Sequence, residues 1–220
     1  MLTGNPYPGR GVLWCRSTQG APLGAYFLTG RSPASRARTL GVDPAGDLLV
    51  APSAAGAHDH LRHYVAARRV GDRLVYGNGE QVATVADRLA DGLAAPLALD
   101  ELDYEPDPPI HTPRLTVVAD FAPGTRTWYG AARHSAGARP DTDRLLLSVG
   151  ALAPGEGVLL TTYRSDGEQV ATGAPFTELR IGAGSAAELL DELWAALPGH
   201  LRVGAAVFPS TDLTAALVRQ

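Results

Sequence analysis

A chain of 220 residues with 19 basic against 23 acidic side chains carries a formal net charge of -4. It has no overall positive field and is not built as a dedicated nucleic-acid binder, although a local basic pocket can still hold one phosphate. Every basic residue is arginine, so there is no lysine for a pyridoxal phosphate Schiff base or a P-loop, and the single cysteine, Cys15, excludes an intrachain disulfide and a multi-cysteine zinc site.

The first elements read as strands joined by tight turns. "GVLWCR" and "GAYFLTG" are apolar or aromatic runs around the turn signal "STQGAPL", and "DLLVAP" is a third strand. "YVAARRV" and "RLVYGNG" form a hairpin with Gly71-Asp72 as its two-residue turn. After Asn78-Gly79 the period changes: Val82, Val85, Ala86, Leu89 and Leu93 follow helical spacing, with Gly92 and Pro96 as stops. A short apolar stretch, "PLALDEL", leads into "LDYEPDPPIHTPRL", where Asp103, Glu105, Asp107, His111 and Arg114 stand among four prolines.

Four more strands are expected at "LTVVADF", "TWYGAARH", "RLLLSVG" and "VLLTTYR". Ser185 with Glu188 forms a capping box, and Leu189, Leu190, Leu193, Trp194 and Leu197 make the apolar face of a late helix, stopped by Pro198-Gly199 before the strand "VGAAVF". Two blocks of antiparallel strands, each followed by an amphipathic helix, point to α+β with sheets covered by helices rather than to alternating βαβ units. No G-x-G-x-x-G follows a strand, and no repeat has a solenoid period. The length suits one core, so residues 1–220 are expected as a single domain, and the absence of an apolar leader or membrane-length run makes the expected location cytoplasmic. Cys15, in an apolar strand, is expected as a core thiol.

Three segments combine polar groups with backbone constraint. In "TGRSPASR", Arg31 and Arg36 flank small residues; guanidinium forks there can bind phosphate or carboxylate, and a solvated turn has the same spacing. In "YGNG", Asn78-Gly79 is either an N-terminal cap for the following helix or a set of amides facing an anion. In "LDYEPDPPIHTPRL", prolines stiffen a loop that can hold carboxylates in place, with Glu105 raised by like charges or lowered by Arg114, and a solvated acidic turn is the plain alternative.

Taken in order, "YPGRGVLW", "GAYFLTGRSPASR", Tyr64 in "HYVAARRV", "VYGNG", "LDYEPD" and "TPRL" make the chain resemble the archaeal-type IMP cyclohydrolase family, most clearly over residues 7–36 and 63–116. The resemblance implies a four-layer αββα fold like that of N-terminal-nucleophile hydrolases, without their self-cleaving nucleophile. It implies closure of the purine ring, in which a formamido-imidazole-carboxamide ribonucleotide loses water to give IMP, and no metal or other cofactor. The partner is then a small ribonucleotide monophosphate rather than nucleic acid or membrane, and the protein a homo-oligomeric hydrolase of purine biosynthesis.

Carried onto this chain, the resemblance assigns Glu105 as the acid/base group, with Tyr64 and Arg31 at the reacting atoms. Arg36, Asn78, Gly79, Arg114, Tyr104 and His111 line or support the nucleotide site. The chain departs from the family pattern at Pro33-Ala34-Ser35, at Glu80-Gln81-Val82-Ala83, at Pro106, and at Ile110-His111. These departures leave open a related cyclisation or ring opening of another purine-like nucleotide; a non-catalytic nucleotide-binding protein is the reading from another class.

Overall fold

The structure, a computed structural model, describes residues 2, 5–54, 61–121, 126–135, 141–164 and 176–220. Strand β1 (Arg10–Arg16) turns into β2 (Pro22–Thr29), as the turn signal between them requires. A four-residue helix α1 (Pro33–Arg36) then leads to the hairpin β3 (Arg38–Val42) and β4 (Leu48–Pro52). Strands β5 (Tyr64–Val70) and β6 (Arg73–Gly77) form the next hairpin, and Gly71 at its turn has φ 56°, a value that primed two-residue turns favour and that glycine adopts without strain.

Helices α2 (Gln81–Ala90) and α3 (Ala95–Ala98) are followed by the antiparallel run β7 (Arg114–Asp120), β8 (Thr127–His134) and β9 (Thr142–Val149). The chain closes with β10 (Glu156–Thr161), β11 (Phe176–Arg180), α4 (Ala186–Ala196), β12 (Arg202–Pro209) and β13 (Leu217–Arg219). Among the described residues every strand pairing is antiparallel and the helices lie between strand runs, so the class is α+β as expected.

Strands β3 to β9 form one seven-stranded sheet in chain order, whereas the six-stranded sheet has the order β11-β10-β1-β2-β12-β13. The two strand blocks read along the chain do not coincide with the two sheets: the chain's two ends build one sheet and its middle builds the other. Long-range pairing between β1 and β10, and between β2 and β12, decides this, and no local pattern encodes it.

Strand alternation partitions the core. Val12 and Trp14 of β1 join Tyr26 and Leu28 of β2 in a cluster with Leu74, Tyr76, Leu115, Val117 and Tyr129 of the other sheet. Leu13, Cys15, Ala25 and Phe27, with the opposite parity, pack instead with Leu189, Leu190 and Leu193 of α4. Val75 and Val118 turn away from the first cluster to meet Val82, Val85 and Leu89 of α2 and Leu99 beyond α3. In β12 a register shift between Arg202 and Gly204 lets Val203 and Ala206 share one side despite their odd spacing.

Tyrosines fasten the two sheets. The hydroxyls of Tyr26 and Tyr64 are 2.7 Å apart, Tyr76 donates to the Leu13 carbonyl at 2.7 Å, and Tyr129 donates to the Val158 carbonyl at 2.9 Å. Burial pushes the Tyr76 and Tyr129 phenols up, so both remain neutral donors. A buried hydroxyl left without a partner costs about 1–3 kcal/mol, so these bonds favour one alignment of the sheets.

Local expectations met mixed outcomes. The Ser185 hydroxyl accepts from the Glu188 N–H at 3.2 Å, while the Glu188 carboxylate accepts from Gly184 rather than from the cap residue itself. Asn78 does not cap α2: the N-cap position is Glu80, which makes no side-chain capping bond. Helix α2 stops at Ala90, so Leu93 lies beyond it and is exposed, and Pro96 falls in the first turn of α3, where its missing N–H does no harm. No helix among the described residues is long and apolar enough to cross a membrane.

Leu193→Ala, which opens a space between α4 and the six-stranded sheet, is expected to lower stability by about 2–5 kcal/mol in denaturant unfolding. Cys15 is fully buried and its thiol is pushed up to about 12, first by burial and then by Glu192. Native protein at pH 8 should leave a thiol-specific chromogenic reagent unreacted, and unfolded protein should react with one equivalent.

Candidate functional site

A cavity of about 640 Å³ opens where the start of β1, the end of β2, α1 and the proline-rich segment before β7 meet. That volume falls in the range of small-molecule sites, about 300–1,000 Å³. Among the described residues four arginines, Arg10, Arg31, Arg38 and Arg62, line it against two carboxylates, Glu105 and Asp107. An acidic protein thus concentrates positive charge on one concave surface, which suits an anionic ligand.

The floor is a buried ion pair. The Arg10 guanidinium donates from Nη1 to Glu105 Oε1 and from Nη2 to Oε2, both at 2.7 Å, and Nη1 also donates to the Asn78 carbonyl at 2.8 Å. Arg10 is 7% exposed and Glu105 3%. Burial raises the Glu105 carboxyl above its ordinary range and Arg10 restrains the rise. Burial also works against the charge on Arg10, but Glu105, followed by Tyr64, holds the guanidinium protonated. Two of the roughly four lone-pair sites of the carboxylate are used by Arg10, so further acceptor capacity remains for a ligand.

Local geometry brings these groups in. Gly9 has φ 70°, and a Cβ there would stand 2.1 Å from Thr162 Oγ1, so only glycine lets the chain enter β1 at this angle. The Asn78 side chain accepts from the Leu115 N–H at 2.6 Å and donates to the Pro113 carbonyl at 2.8 Å, fixing the start of β7 against the end of β6. Its backbone carbonyl is left to face Arg10. A Cβ on Gly79 would lie 3.1 Å from Glu105 Oε1, so the neighbouring glycine leaves room for the carboxylate.

The fold brings only some of the residues expected from the sequence to the cavity. Glu105 and Arg31 line it, with Arg31 5.0 Å above the Tyr7 ring. Arg36 is not among the lining residues and its Nε donates to the Gly30 carbonyl at 3.1 Å; two positions further on Arg38 lines the cavity beside Arg31, held by the carbonyls of Ser35 and Thr29. Tyr64 sits behind the floor in the core between the sheets, hydrogen-bonded to Tyr26.

Asn78 and Gly79 stand beside the Arg10–Glu105 pair. Arg114 pairs with Glu80 at 2.7 Å, away from the cavity lining. The Tyr104 ring meets His111 and His134 edge-on, and the two imidazoles stack at 4.8 Å, so Tyr104 and His111 brace the segment from outside the cavity lining.

Sequence reasoning missed Arg10, Arg38, Tyr7 and Tyr163 as lining residues. One signal for Arg10 was available, a charge placed at the head of an apolar strand beside a glycine. Its partner is 95 positions away in the chain, beyond the reach of any spacing argument. Among the described residues no group of three or more His, Cys, Asp or Glu could hold a metal ion.

An α+β sandwich with an arginine-rich cavity floored by a buried carboxylate defines a protein equipped to bind a small organic anion and handle protons on it. The comparisons with known proteins are more specific. The family described as "IMP cyclohydrolase-like protein" matches residues 7–212, and the chain belongs to that family. It is similar to the IMP cyclohydrolase of Methanopyrus kandleri, with 29% identity over 161 residues, 71% of this chain and 75% of that protein.

Arg10→Met leaves the buried Glu105 without its partner, and the expected loss is about 3–5 kcal/mol of unfolding free energy. A loss below about 1 kcal/mol, the range of an exposed pair, would count against a fully buried interaction.

Proposed function

We propose that this protein is an IMP cyclohydrolase-type enzyme that closes the purine ring of a formamido-imidazole-carboxamide ribonucleotide with loss of water. The observation that carries the reading is the Arg10–Glu105 pair on the floor of an arginine-lined cavity, in a chain whose family match spans residues 7–212. The reaction is intramolecular, so holding the carboxamide nitrogen against the formyl carbon supplies much of the acceleration. Two N–H protons, one from the carboxamide and one from the formamido nitrogen, leave with the formyl oxygen as water.

In this reading Arg31, Arg38 and Arg62 hold the phosphate by charge and forked hydrogen bonds. Glu105 takes the formamido proton and passes it to the departing hydroxyl, for which a carboxyl raised by burial is suited. Arg10 keeps Glu105 in place and offers positive charge near the developing oxyanion. Tyr64 supports Arg10 from behind, while Arg36, Tyr104, His111 and Arg114 shape the surrounding loops.

The same reading gives one domain with a four-layer αββα arrangement like that of N-terminal-nucleophile hydrolases. The separate apolar clusters between the sheets, under α4 and under α2 with α3 support it. A homo-oligomer acting in cytoplasmic purine biosynthesis without a cofactor completes the proposal, and light scattering tests the assembly. A second reading, ring closure or opening on a related purine-like nucleotide, is favoured by one observation: Asp107 and Ile110, from the stretch that departs most from the family pattern, line the cavity.

Purified protein is expected to convert the formamido nucleotide to IMP, followed by ultraviolet absorbance, at a rate that EDTA leaves unchanged. No absorbance change, with binding of another ribonucleotide in a thermal-shift panel, would replace the first reading by the second. Glu105→Gln should lower kcat by about 10²–10⁴ if Glu105 is the acid/base group; an effect on KM alone would make it a binding residue. The wild-type kcat/KM should fall as pH drops through the Glu105 carboxyl, in a limb lying above the ordinary glutamate value of about 4.3. Glu105→Gln should abolish that limb.

A further inference from the structure

In the cyclohydrolase reading ring closure moves two protons, and Glu105 accounts for one of them; a path for the other rests on that same reading. The Tyr163 hydroxyl lies 2.5 Å from Thr112 Oγ1. Thr112 Oγ1 is in turn 2.6 Å from Asp107 Oδ2, and the Thr112 N–H donates to Asp107 Oδ1 at 2.7 Å. A hydroxyl has one proton, and an ionised carboxylate can only accept. The Thr112 proton therefore points to Asp107, and Tyr163 must be the donor to Thr112. The phenol oxygen keeps lone pairs for a ligand, and Tyr163, Thr112 and Asp107 all line the cavity.

The chain of hydroxyls is held rigidly. Tyr163 stacks on Tyr7 with ring centroids 5.5 Å apart, and its carbonyl accepts from the Asn5 side chain at 2.8 Å. Thr112 is 1% exposed, and its carbonyl accepts from the Glu105 N–H at 2.9 Å, so one loop carries both this chain and the floor carboxylate. Both O···O distances fall at the short end for hydroxyl donors, where proton transfer needs little motion. Burial raises the Tyr163 phenol, with Arg10 and Thr112 pulling the other way, so a standing tyrosinate is not the base. The phenol can accept a proton only by passing on its own.

We propose that Tyr163, Thr112 and Asp107 form a proton relay that removes the carboxamide proton during ring closure, with Tyr163 as the catalytic residue in contact with the substrate. As the carboxamide nitrogen bonds to the formyl carbon, one N–H bond breaks and its proton joins Tyr163 Oη. The Tyr163 proton passes to Thr112 Oγ1, and the Thr112 proton passes to Asp107 Oδ2. The formyl C=O electron pair moves onto oxygen. Run in reverse, the relay returns that proton to the oxygen as a hydroxyl, which takes the formamido proton through Glu105 and leaves as water. Half-buried Asp107 can also exchange the proton with solvent.

The test is steady-state kinetics on the formamido nucleotide, with solvent deuterium effects, for Tyr163→Phe, Thr112→Val, Thr112→Ser and Asp107→Asn. Asp107→Asn keeps an acceptor for Thr112 but cannot take up a proton. It and the first two variants should each lower kcat by about 10² with KM nearly unchanged. Thr112→Ser, which restores a hydroxyl, should return most of the rate. Wild-type kcat should curve against deuterium fraction, as expected for several protons in flight, and become linear in Asp107→Asn.

Should Thr112→Val or Tyr163→Phe fail to fold by circular dichroism, Asp107→Asn decides the matter. Wild-type turnover together with an unimpaired Asp107→Asn, or with losses confined to KM, overturns the relay alone. A wild-type protein that does not turn over the formamido nucleotide overturns the cyclohydrolase reading and the relay with it.

Discussion

The bidentate contact between Arg10 and Glu105 is the constraint on which the site depends. Arg10 heads β1 of the six-stranded sheet, and Glu105 lies in the segment that feeds β7 of the seven-stranded sheet, so one ion pair ties both sheets together at the cavity floor. Removing two charges from water costs several kcal/mol per ion, and only good geometry with further hydrogen bonds offsets it. Here the geometry is forked, and the Asn78 carbonyl satisfies a further donor of Arg10. A hydrophobic pair in the same place could hold the sheets equally well but would leave the cavity with no charge to act on a ligand. The pair is therefore better explained by function than by stability.

Around that pair the structure repeats one device, a polar group buried between apolar surfaces and satisfied across a long chain separation. Tyr26 with Tyr64, Tyr76 with Leu13 and Tyr129 with Val158 cross from sheet to sheet. Thr112 with Tyr163 joins the proline-rich segment to the end of the six-stranded sheet. Each such bond has a penalty for failing to form, so together they select one relative placement of the two sheets. The Arg10–Glu105 and Thr112–Tyr163 contacts lie in the cavity wall, whose carboxylates sit on a loop stiffened by Pro106, Pro108 and Pro109 and by hydrogen bonds to Asp107. Rigid positioning of that kind suits an intramolecular reaction, in which orientation is a large part of the barrier.

The two long helices and most strands were legible from alternation, turn residues and helical spacing. The strands missed were β3, β11 and β13. In β3, Thr39, Gly41 and Val42 are exposed, and β13 has only three residues at a sheet edge, so neither presents the alternating apolar pattern by which strands are recognised. Asn78 illustrates a different failure: beside a helix start it reads as a cap, but its amide satisfies Leu115 and Pro113 instead, because the partner strand offers two buried groups at the right distance. Arg36 and Arg38 show the limit for site residues. Both are arginines two positions apart in a turn, and only the path from α1 into β3 turns one towards solvent and the other into the cavity wall.

Side-chain alternation, turn chemistry and proline restraint are local properties, and the α+β class, the periodicities of β1, β2, α2 and α4 and the constrained, charge-rich character of the segment from Leu102 to Leu115 follow from them directly. Which strands share a sheet, that Arg10 and not Arg114 hydrogen-bonds Glu105, and that Asp107 meets Tyr163 through Thr112 are set by contacts between distant parts of the chain. The ion pair alone joins residues 95 positions apart. Such contacts exist only after hydrophobic burial has set the two sheets face to face, because until then water satisfies each of these polar groups equally well.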